Sequence, residues 1–461
     1  MQLSELSTKK LHFIGIGGAG MSGLARIALS HGAKVSGSDA KDSSVVTGLR
    51  ALGAEIAIGH SSGNIAQPDL VIFSSAIAST NPEMQRATEL AIATMTRAQA
   101  LALLMSGSRS IAVAGTHGKT TTTSMLTVAL QTSGLDPSFA IGGTLTASGS
   151  NAHRGTGELF IAEADESDGS FIAYRPFGAI ITNIEHDHVD FFATPGDVTA
   201  AFAAFIATIP SDGFLVYCFD DPGARALGAS ITSCRTISYG TGAGADLIVD
   251  QIELLPTASK ARLVVNGKAI GEMALQVPGA HNVLNAAATV AVCRALELPL
   301  PEFLTGLHAF RGAARRFELK GQVHGIRVID DYGHHPTEIS VTLDTARRYA
   351  GDGRVLTLFQ PHRYSRTQAF TPDFAAALSK ADYSVLLEIY SASEAPILGV
   401  SAANIVDQMK SAEFQPNFIS ATERIAELAQ PGDVIVTLGA GDVSSLGSVI
   451  IDLLQQRFPN A

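Results

Sequence analysis

The chain has 461 residues, of which 46% are hydrophobic and 16% are charged. This length exceeds what one hydrophobic core usually holds, so we expect two or three domains, and the composition excludes a largely disordered protein. The net charge of −11 argues against a nucleic-acid partner, because phosphate backbones are bound by clustered Lys and Arg.

The cellular location is predicted from features that the sequence lacks. The N-terminal segment MQLSELSTKK does not have the order of basic, apolar and small residues that marks a secretory signal. No apolar run approaches the roughly 20 residues that cross a bilayer, so we expect no membrane insertion. Cys218, Cys234 and Cys293 are scattered along the chain, and a cytoplasmic protein is the simplest interpretation.

Three stretches of the chain repeat a short β-branched strand, a glycine-containing turn and an amphipathic helix, which is typical of parallel α/β sheets. In the first stretch, residues 1–107, the predicted strands are Leu11–Ile16, Lys34–Ser36, Glu55–Ile58 and Leu70–Phe73. In the second, residues 108–312, they are Ile111–Ala114, Leu159–Ala162 and Ala179–Thr182. In the third, residues 313–461, they are Ile326–Ile329, Val355–Phe359, Val385–Ile389 and Val434–Leu438. The sequence therefore predicts an α/β fold of three domains, each on a mostly parallel sheet: Rossmann-like, P-loop and Rossmann-like in chain order.

The first predicted turn is a glycine-rich loop, Gly15-Ile16-Gly17-Gly18-Ala19-Gly20, between a strand and a helix over Met21–His31. Asp39 ends the next strand, where an NAD-binding protein carries its acidic residue. Such a loop requires only a pyrophosphate at a helix N-terminus, which a UDP-sugar supplies as well as NAD does. The residues alone leave a dehydrogenase and a UDP-sugar-binding protein open.

A second glycine-rich loop, Gly115-Thr116-His117-Gly118-Lys119-Thr120, also follows a predicted strand and opens a helix. Backbone N–H groups of such a loop point at phosphate oxygens, so the pattern predicts an ATP site. Lys119 is suited to neutralise the β- and γ-phosphates, and the Thr120 hydroxyl is suited to bind Mg²⁺. Val113 stands where the strict pattern requires glycine, so the loop is a shortened variant.

Two later strand ends carry polar clusters, Glu163-Ala164-Asp165-Glu166-Ser167-Asp168 and Asn183-Ile184-Glu185-His186-Asp187-His188. Carboxylates near a phosphate loop are suited to a nucleotide-bound Mg²⁺, although an exposed acidic loop fits the first cluster equally well. Histidine is an uncommon Mg²⁺ ligand, so on chemistry alone His188 is more often an ordinary loop histidine.

Two further patterns suit nucleotide or carboxylate contacts. Asn282 and Asn285 share one face of a predicted helix start, where they fit either helix capping or ligand contact. Arginines cluster at Arg315-Arg316 and at Arg363 with Arg366, and guanidinium forks bind phosphate and carboxylate bidentately.

The ordered set GIGGAGMSGLA, AGTHGKTTTT, EADESD, NIEHDHVD, PGAHNVLNA, AARRFE, DDYGHHPTE and FQPHRYSRT resembles the Mur ligases across nearly the whole chain. Ser167 and Tyr332-Gly333 favour the alanine-adding branch over the murein-peptide recycling branch, which typically has Tyr and Phe-Ala at these places. The resemblance implies ATP-dependent ligation of L-alanine to the muramoyl carboxylate of UDP-N-acetylmuramate through an acyl phosphate, in peptidoglycan precursor synthesis.

The resemblance also implies roles for particular residues. It places ATP against Gly115, Thr116, His117, Gly118, Lys119, Thr120, Thr121, Asn282, Asn285, Arg316 and Asp331. It places the UDP-linked substrate against Gly17, Gly18, Ala19, Gly20, Ser38, Asp39, Ser74, Ser75, His334, Arg363 and Arg366. It assigns Mg²⁺ to Thr120, Glu163 and His188, and catalysis to Lys119, His188, Arg316 and Asp331. The recycling ligase and, less strongly, the dehydrogenase remain the alternatives.

Overall fold

The structure, a computed structural model, describes residues 3–74 and 76–459. It confirms the predicted fold class, because it contains three α/β domains that are each built on a mostly parallel sheet. Ser75, which the resemblance assigns to substrate binding, lies outside the described residues. Among the residues that are described, no helix combines the length and the apolar character needed to cross a membrane. The domain boundaries at residues 107 and 312 stay a prediction.

The contacts within the chain divide it into two compact units. Unit 1 comprises Met1–Ile184, Val198–Ile248 and Ala286–Ala309. Unit 2 comprises Glu185–Asp197, Val249–Asn285 and Phe310–Ala461. Both glycine-rich loops therefore belong to unit 1, and both arginine clusters belong to unit 2.

The first domain lies in unit 1. Its strands are β1 (Lys10–Ile14), β2 (Lys34–Asp39), β3 (Glu55–Ile58), β4 (Leu70–Phe73) and β5 (Thr94–Thr96). Its helices are α1 (Ala19–Ser30), α2 (Ser44–Ala51), α3 (Pro82–Glu89) and α4 (Arg97–Met105), with 3₁₀ helices at Leu3–Thr8 and Ser62–Asn64. Neighbouring strands pair in parallel in the order β3-β2-β1-β4-β5. The carboxyl ends of these strands share one edge of the sheet, which is where ligands bind in open α/β sheets.

A buried carboxylate, Glu83 in the first turn of α3, organises the polar side chains beside β1 and β2. It accepts hydrogen bonds from Ser38 Oγ at 2.7 Å, Asn64 Nδ2 at 2.6 Å and the Ser61 N–H at 3.2 Å, and it contacts His12 Nε2 at 3.1 Å. Burial alone would raise the pKa of Glu83, but these hydrogen bonds outweigh it and lower the pKa to about 2.

The ionised Glu83 carboxylate should therefore stabilise the first domain at neutral pH, and this stabilisation should be lost in acid. The change from the ordinary value of 4.5 to about 2 corresponds to roughly 3 kcal/mol, which is present above pH 4.5 and is lost as the pH falls toward 2. Glu83→Gln should lower the thermal midpoint at pH 7 and flatten its dependence on pH below 4.5. Glu89→Gln, an exposed change on the same helix, is the matched control. Identical pH profiles for wild type and Glu83→Gln would contradict the assignment.

The middle domain begins in unit 1. Its strands there are β6 (Arg109–Ala114), β7 (Ser138–Ala140), β8 (Ala152–His153), β9 (Leu159–Glu163), β10 (Gly178–Ile181), β11 (Phe214–Cys218) and β12 (Arg235–Gly240). Helices α5 (Lys119–Thr132), α7 (Pro222–Ser230) and α9 (Leu300–Ala309) and a 3₁₀ helix at Ser170–Tyr174 accompany them. Three elements, α6 (Pro195–Ile206), β13 (Leu247–Leu254) and α8 (Ala280–Ala295), continue from one unit into the other. The strand order in unit 1 is β13-β12-β11-β10-β6-β9-β7-β8, with β6 flanked in parallel by β9 and β10.

Unit 2 contains an antiparallel hairpin that was not predicted from the sequence. The hairpin strands are β14 (Ser259–Val265) and β15 (Lys268–Leu275). The turn is Asn266-Gly267, with φ values of +50° and +72°. Asn-Gly is the preferred sequence of such a two-residue turn, so the signal was present.

The third domain lies in unit 2. Its strands are β16 (Glu318–Val323), β17 (Ile326–Asp331), β18 (Val355–Phe359), β19 (Tyr383–Leu386), β20 (Ala412–Phe414) and β21 (Val434–Leu438). Its helices are α10 (Pro336–Ala350), α11 (Tyr364–Leu378), α12 (Ala403–Val406), α13 (Phe418–Leu428) and α14 (Leu446–Arg457), with a 3₁₀ helix at Asp442–Ser445. The strand order is β16-β17-β21-β18-β19-β20, and among the described strands of this domain only the β16–β17 pair is antiparallel.

Two strands of this domain were predicted with wrong ends. The strand predicted at Val385–Ile389 is observed at Tyr383–Leu386. The strand predicted to end at Ile329 continues through Asp330 and Asp331, because these residues pair with Thr437 and Leu438 of β21. Asp331 is therefore the last residue of a buried strand and does not lie in a turn.

Candidate active site

The phosphate loop in unit 1 has the backbone that its glycines predict. Gly115 has a φ of +136°, and a Cβ there would lie 2.0 Å from Thr182 Oγ1. Gly118 has a φ of +81° and caps α5. Residues after β10 fix the loop from the side, because Thr182 Oγ1 donates to the His117 carbonyl at 2.6 Å and the His117 N–H donates to Asn183 Oδ1 at 2.8 Å. The loop is thus fixed in position by its neighbours on the sheet edge.

Lys119 is the first residue of α5, and its ammonium group turns back over the loop. It donates to the carbonyls of Gly115 at 2.7 Å and Thr116 at 3.1 Å and contacts both carboxylate oxygens of Glu166 at 2.9 Å. Burial alone would lower the pKa of Lys119, but Glu166 and the neighbouring carboxylates outweigh burial and raise it. Lys119 therefore stays charged at neutral pH, at the position where a loop-bound phosphate needs a cation.

Thr120 and Glu163, two of the predicted metal ligands, lie side by side. Thr120 Oγ1 donates to Glu163 Oε1 at 2.9 Å, and the other carboxylate oxygen accepts from the Gly142 N–H at 2.7 Å. A Cβ at Gly142 would lie 2.9 Å from the Glu163 carboxylate, and one at Gly143 would lie 2.8 Å from Thr120 Cγ2. This Gly-Gly pair was not predicted from the sequence, although it lies just after β7 at the same edge of the sheet. Thr121, also assigned to ATP, is half-buried in the first turn of α5.

The first glycine-rich loop precedes α1 and caps its N-terminus with a glycine, as the phosphate loop does for α5. The Gly17 N–H donates to Asp39 Oδ2 at 2.8 Å, and a Cβ at Gly17 would lie 2.9 Å from that oxygen. Gly18 caps α1, and Ala19 and Gly20 are its first residues. Asp39 therefore fixes the loop directly.

The two serines assigned to the UDP-linked substrate have different surroundings. Ser38 is fully buried and its hydroxyl bonds Glu83, while its backbone carbonyl accepts from the N–H groups of Gly15 and Ile16 in the loop. Ser74 follows β4, and its hydroxyl accepts from the Ala76 N–H at 3.1 Å in a turn. Their contact with a substrate stays a prediction.

Asn282 and Asn285 are both nearly buried at the start of α8. Asn285 Nδ2 lies 3.5 Å from Asn282 Oδ1, which confirms that they share one face of the helix. The Asn282 amide also donates to the Pro278 carbonyl at 2.7 Å, so it closes the turn that precedes the helix. His281 beside them is neutral at pH 7, because burial and then Arg316 lower its pKa to about 4.

Asp331 and Arg316, both assigned to ATP, lie in unit 2. The Asp331 carboxylate accepts from the N–H groups of Phe317 and Gly333, each at 2.8 Å, and from Thr342 Oγ1 at 3.2 Å. Burial raises the pKa of Asp331, and Arg316 opposes that shift. The Arg316 guanidinium stacks over the Tyr332 ring at 4.9 Å. Asp331 is rigidly held, whereas the Arg316 side chain keeps about a quarter of its surface exposed.

Arg366, which the resemblance assigns to the UDP-linked substrate, is a buried and paired residue. It is 2% exposed in the first turn of α11, and its Nε and Nη2 donate to the two oxygens of Asp187 at 2.9 and 3.1 Å. Its Nη1 lies 3.3 Å from His362 Nδ1. Burial alone would raise the pKa of Asp187, but Arg366 outweighs burial and lowers it far below the ordinary range. Asp187 was part of a quoted motif without a role, and it is the residue that orients this guanidinium.

The remaining predicted residues of unit 2 surround this pair. His188 has a φ of +51°, and its N–H donates to Asp187 Oδ1 at 2.6 Å. The His334 ring packs 5.7 Å from the His362 ring, and burial and then Arg366 lower the pKa of His334 well below 6.5. Arg363 caps α11 with a φ of +72° and bonds Asp190, with Glu394 Oε1 at 3.6 Å.

The predicted residues thus form local groups in each unit. In unit 1 the structure brings together the phosphate loop, Thr120 and Glu163, and separately the first glycine-rich loop and Asp39. In unit 2 it brings together Arg316 and Asp331, and it gathers His188, His334 and Arg366 around Asp187. Their assignments to ligands stay predictions.

Comparisons with known proteins agree along the whole chain. Three family models match in succession: "Mur ligase family, catalytic domain" at residues 10–109, "Mur ligase middle domain" at residues 113–293 and "Mur ligase, glutamate ligase domain" at residues 315–441. The UDP-N-acetylmuramate–L-alanine ligase of Renibacterium salmoninarum is 48% identical over 462 residues, covering 98% of this chain and 97% of the relative. That of Acidothermus cellulolyticus is 46% identical, covering 97% and 96%.

Solved structures give the same result for the fold. The crystal structure of the UDP-N-acetylmuramate-alanine ligase of Thermotoga maritima superposes with a TM-score of 0.82 at 30% identity, covering 97% of this chain and 100% of that one. A murein peptide ligase of Psychrobacter arcticus gives a TM-score of 0.74 at 25% identity, covering 97% and 98%.

Proposed function

The chain belongs to the Mur ligase family, and we propose that it joins L-alanine to the muramoyl carboxylate of UDP-N-acetylmuramate while ATP is converted to ADP and phosphate. The observation that carries the proposal is the phosphate loop, where Lys119, Thr120 and Glu163 converge in a chain that matches alanine ligases over nearly its full length. This supports the UDP-sugar interpretation of the first glycine-rich loop over the dehydrogenase.

The reaction needs activation because a carboxylate is a poor electrophile. Transfer of the γ-phosphoryl group to the muramoyl carboxylate gives an acyl phosphate. The amine of alanine then attacks the acyl carbon, and phosphate leaves from the tetrahedral intermediate. Lys119 supplies fixed positive charge where charge develops on the transferring group, which is how such transfers are mainly catalysed. Arg316, whose side chain is partly exposed, is the proposed second cation.

The metal assignment fits the donor atoms that the structure presents. A threonine hydroxyl and a carboxylate oxygen 2.9 Å apart are the hard oxygen ligands that Mg²⁺ prefers. Thr120 and Glu163 would hold the ion, and we assign His188 to it on the resemblance alone. When bound, Mg²⁺ neutralises charge on the phosphate oxygens.

Proton removal from the alanine amine is assigned to a histidine of unit 2. His334 is one candidate: burial and then Arg366 lower its pKa, which keeps the ring neutral at pH 7 but also weakens it as a proton acceptor. His188 lies next to Asp187 and is the other candidate for the base, in which case it would not bind Mg²⁺.

The expected substrate pattern separates this function from the recycling branch. Phosphate release should require UDP-N-acetylmuramate and an amino acid together, and it should be fastest with L-alanine in a panel that includes serine, glycine and a muramyl-type tripeptide. The measurement is the initial rate of phosphate release with each co-substrate varied. Faster release with the tripeptide would establish the recycling ligase, and release without UDP-N-acetylmuramate would refute both.

A further inference from the structure

Arg97 is a cation at the edge of the first sheet that the sequence analysis did not single out. It is the first residue of α4 and directly follows β5. The carboxyl end of β5 lies at the same edge as the glycine-rich loop after β1 and as Asp39 at the end of β2. In an open parallel sheet this edge is where ligands bind.

The side chain of Arg97 lies against the first turn of α1. A Cβ at Gly20 would be 2.9 Å from Arg97 Cδ and 3.5 Å from Nη1, so the absence of a side chain at Gly20 admits the arginine. The Asn151 amide lies on the same turn and donates to the Ala19 carbonyl at 2.7 Å. The start of α1 is thus bordered by Arg97 and Asn151, both in unit 1.

The guanidinium group is held in place from the middle domain. Arg97 Nη2 lies 3.7 Å from Asp165 Oδ2, and only 21% of the side chain is exposed. Although burial would lower its pKa, Tyr174, Asp165 and Asp168 outweigh burial and raise it, so Arg97 is always charged. A positioned, charged fork beside a helix N-terminus has the geometry for bidentate contact with phosphate oxygens.

We infer that Arg97 binds the diphosphate of the UDP-linked substrate at the first turn of α1. The inference rests on the proposed function only in taking a UDP-linked molecule as the ligand of this loop. The backbone of the loop and the positive end of α1 favour any anion, whereas Arg97 adds a two-pronged contact that depends on the phosphate groups. Asp165 fixes the orientation of the fork, which lowers the entropy lost on binding.

Calorimetric titration of the full-length protein tests this inference. UDP binding is measured directly, and uridine binding is measured by its competition with UDP. Arg97→Met keeps the apolar stem against Gly20 and removes the fork. It should weaken UDP binding by about tenfold to a hundredfold, as expected for a charge-assisted hydrogen bond, and leave uridine and ADP binding unchanged. Arg97→Lys, which keeps the charge, should fall between wild type and Arg97→Met. Arg86→Met, an exposed arginine of α3 paired with Glu89, is the matched control and should bind UDP normally.

Each outcome separates ligand contact from structural support. Equal weakening of UDP and uridine, or loss of ADP binding as well, would show that Arg97 only supports the fold and would overturn the inference. Unchanged UDP binding in Arg97→Met would overturn it too. If Arg97→Met does not fold, Arg97→Lys replaces it in the test. Wild-type UDP affinity in Arg97→Lys would then overturn the inference. Ligation by the wild-type protein is assayed separately. The test of the proposed function is therefore independent of the test of Arg97, and either can fail without the other.

Discussion

Replacing Lys119 with alanine should abolish ligation while the protein stays folded. The ammonium group sits on the loop carbonyls and on Glu166, and none of the described hydrogen bonds that fix the loop to Thr182 and Asn183 involves it. Removing one fixed electrostatic contact to a transferring group lowers kcat by about 10²–10³-fold. Phosphate release with all three substrates measures the loss, and the thermal midpoint checks the fold. Near-normal phosphate release by the folded variant would disprove the role of Lys119.

Glu166, the carboxylate paired with Lys119, must be included in the control for that experiment, because removing Lys119 leaves it without its counter-ion. Burial raises the pKa of Glu166 to about 7 even though Lys119 opposes the shift, so loss of Lys119 should leave Glu166 protonated at neutral pH. Protonation avoids a buried unpaired charge, whose cost would otherwise be several kcal/mol. The double variant Lys119→Ala with Glu166→Gln should therefore have the stability of Lys119→Ala and the same loss of activity. A large recovery of stability in the double variant would show that Glu166 stays charged.

The parts of the fold that were predictable are those encoded by neighbouring residues. The phosphate loop could be predicted because its strand, its glycines and its helix follow one another without interruption. The pairing of Lys119 with Glu166 joins residues 47 apart, and no local pattern specifies which carboxylate of the acidic motif turns inward. Strand ends such as Asp331 depend on the length of the neighbouring strand, which sequence periodicity does not report.

The candidate site in unit 2 shows the same limit more strongly. Arg363 and Arg366 were predicted as a cluster suited to phosphate or carboxylate, and the resemblance assigned both to the UDP-linked substrate. Their counter-ions, Asp190 and Asp187, are 173 and 179 positions away in the chain, so the sequence offered no basis for pairing them. The structure distinguishes the two arginines, because Arg366 is buried while Arg363 keeps 29% of its side chain exposed.

This difference predicts that Arg366→Lys should impair the use of alanine or of the UDP-linked substrate far more than Arg363→Lys does. Arg366 spans both oxygens of Asp187 with two nitrogens, and a lysine offers a single ammonium group that cannot reproduce the fork. Losing one buried charge-assisted contact to a substrate carboxylate costs about 2–5 kcal/mol, which corresponds to about 30-fold or more in kcat/KM. The KM for ATP should change little, because the pair contacts none of the residues assigned to ATP among the described hydrogen bonds and ion pairs.

A double-mutant cycle with Asp187→Asn shows whether the two residues act together. Asp187→Asn keeps the shape of the side chain and removes the charge that orients Arg366. If Asp187 acts through Arg366, the double variant should lose no more activity than Arg366→Lys alone, since strongly coupled residues are not additive. Steady-state kinetics with each of the three substrates varied in turn supplies the constants, and Arg363→Lys is the matched control. Wild-type constants in both lysine variants would remove these arginines from the reaction, and additive losses in the cycle would assign Asp187 a role independent of Arg366.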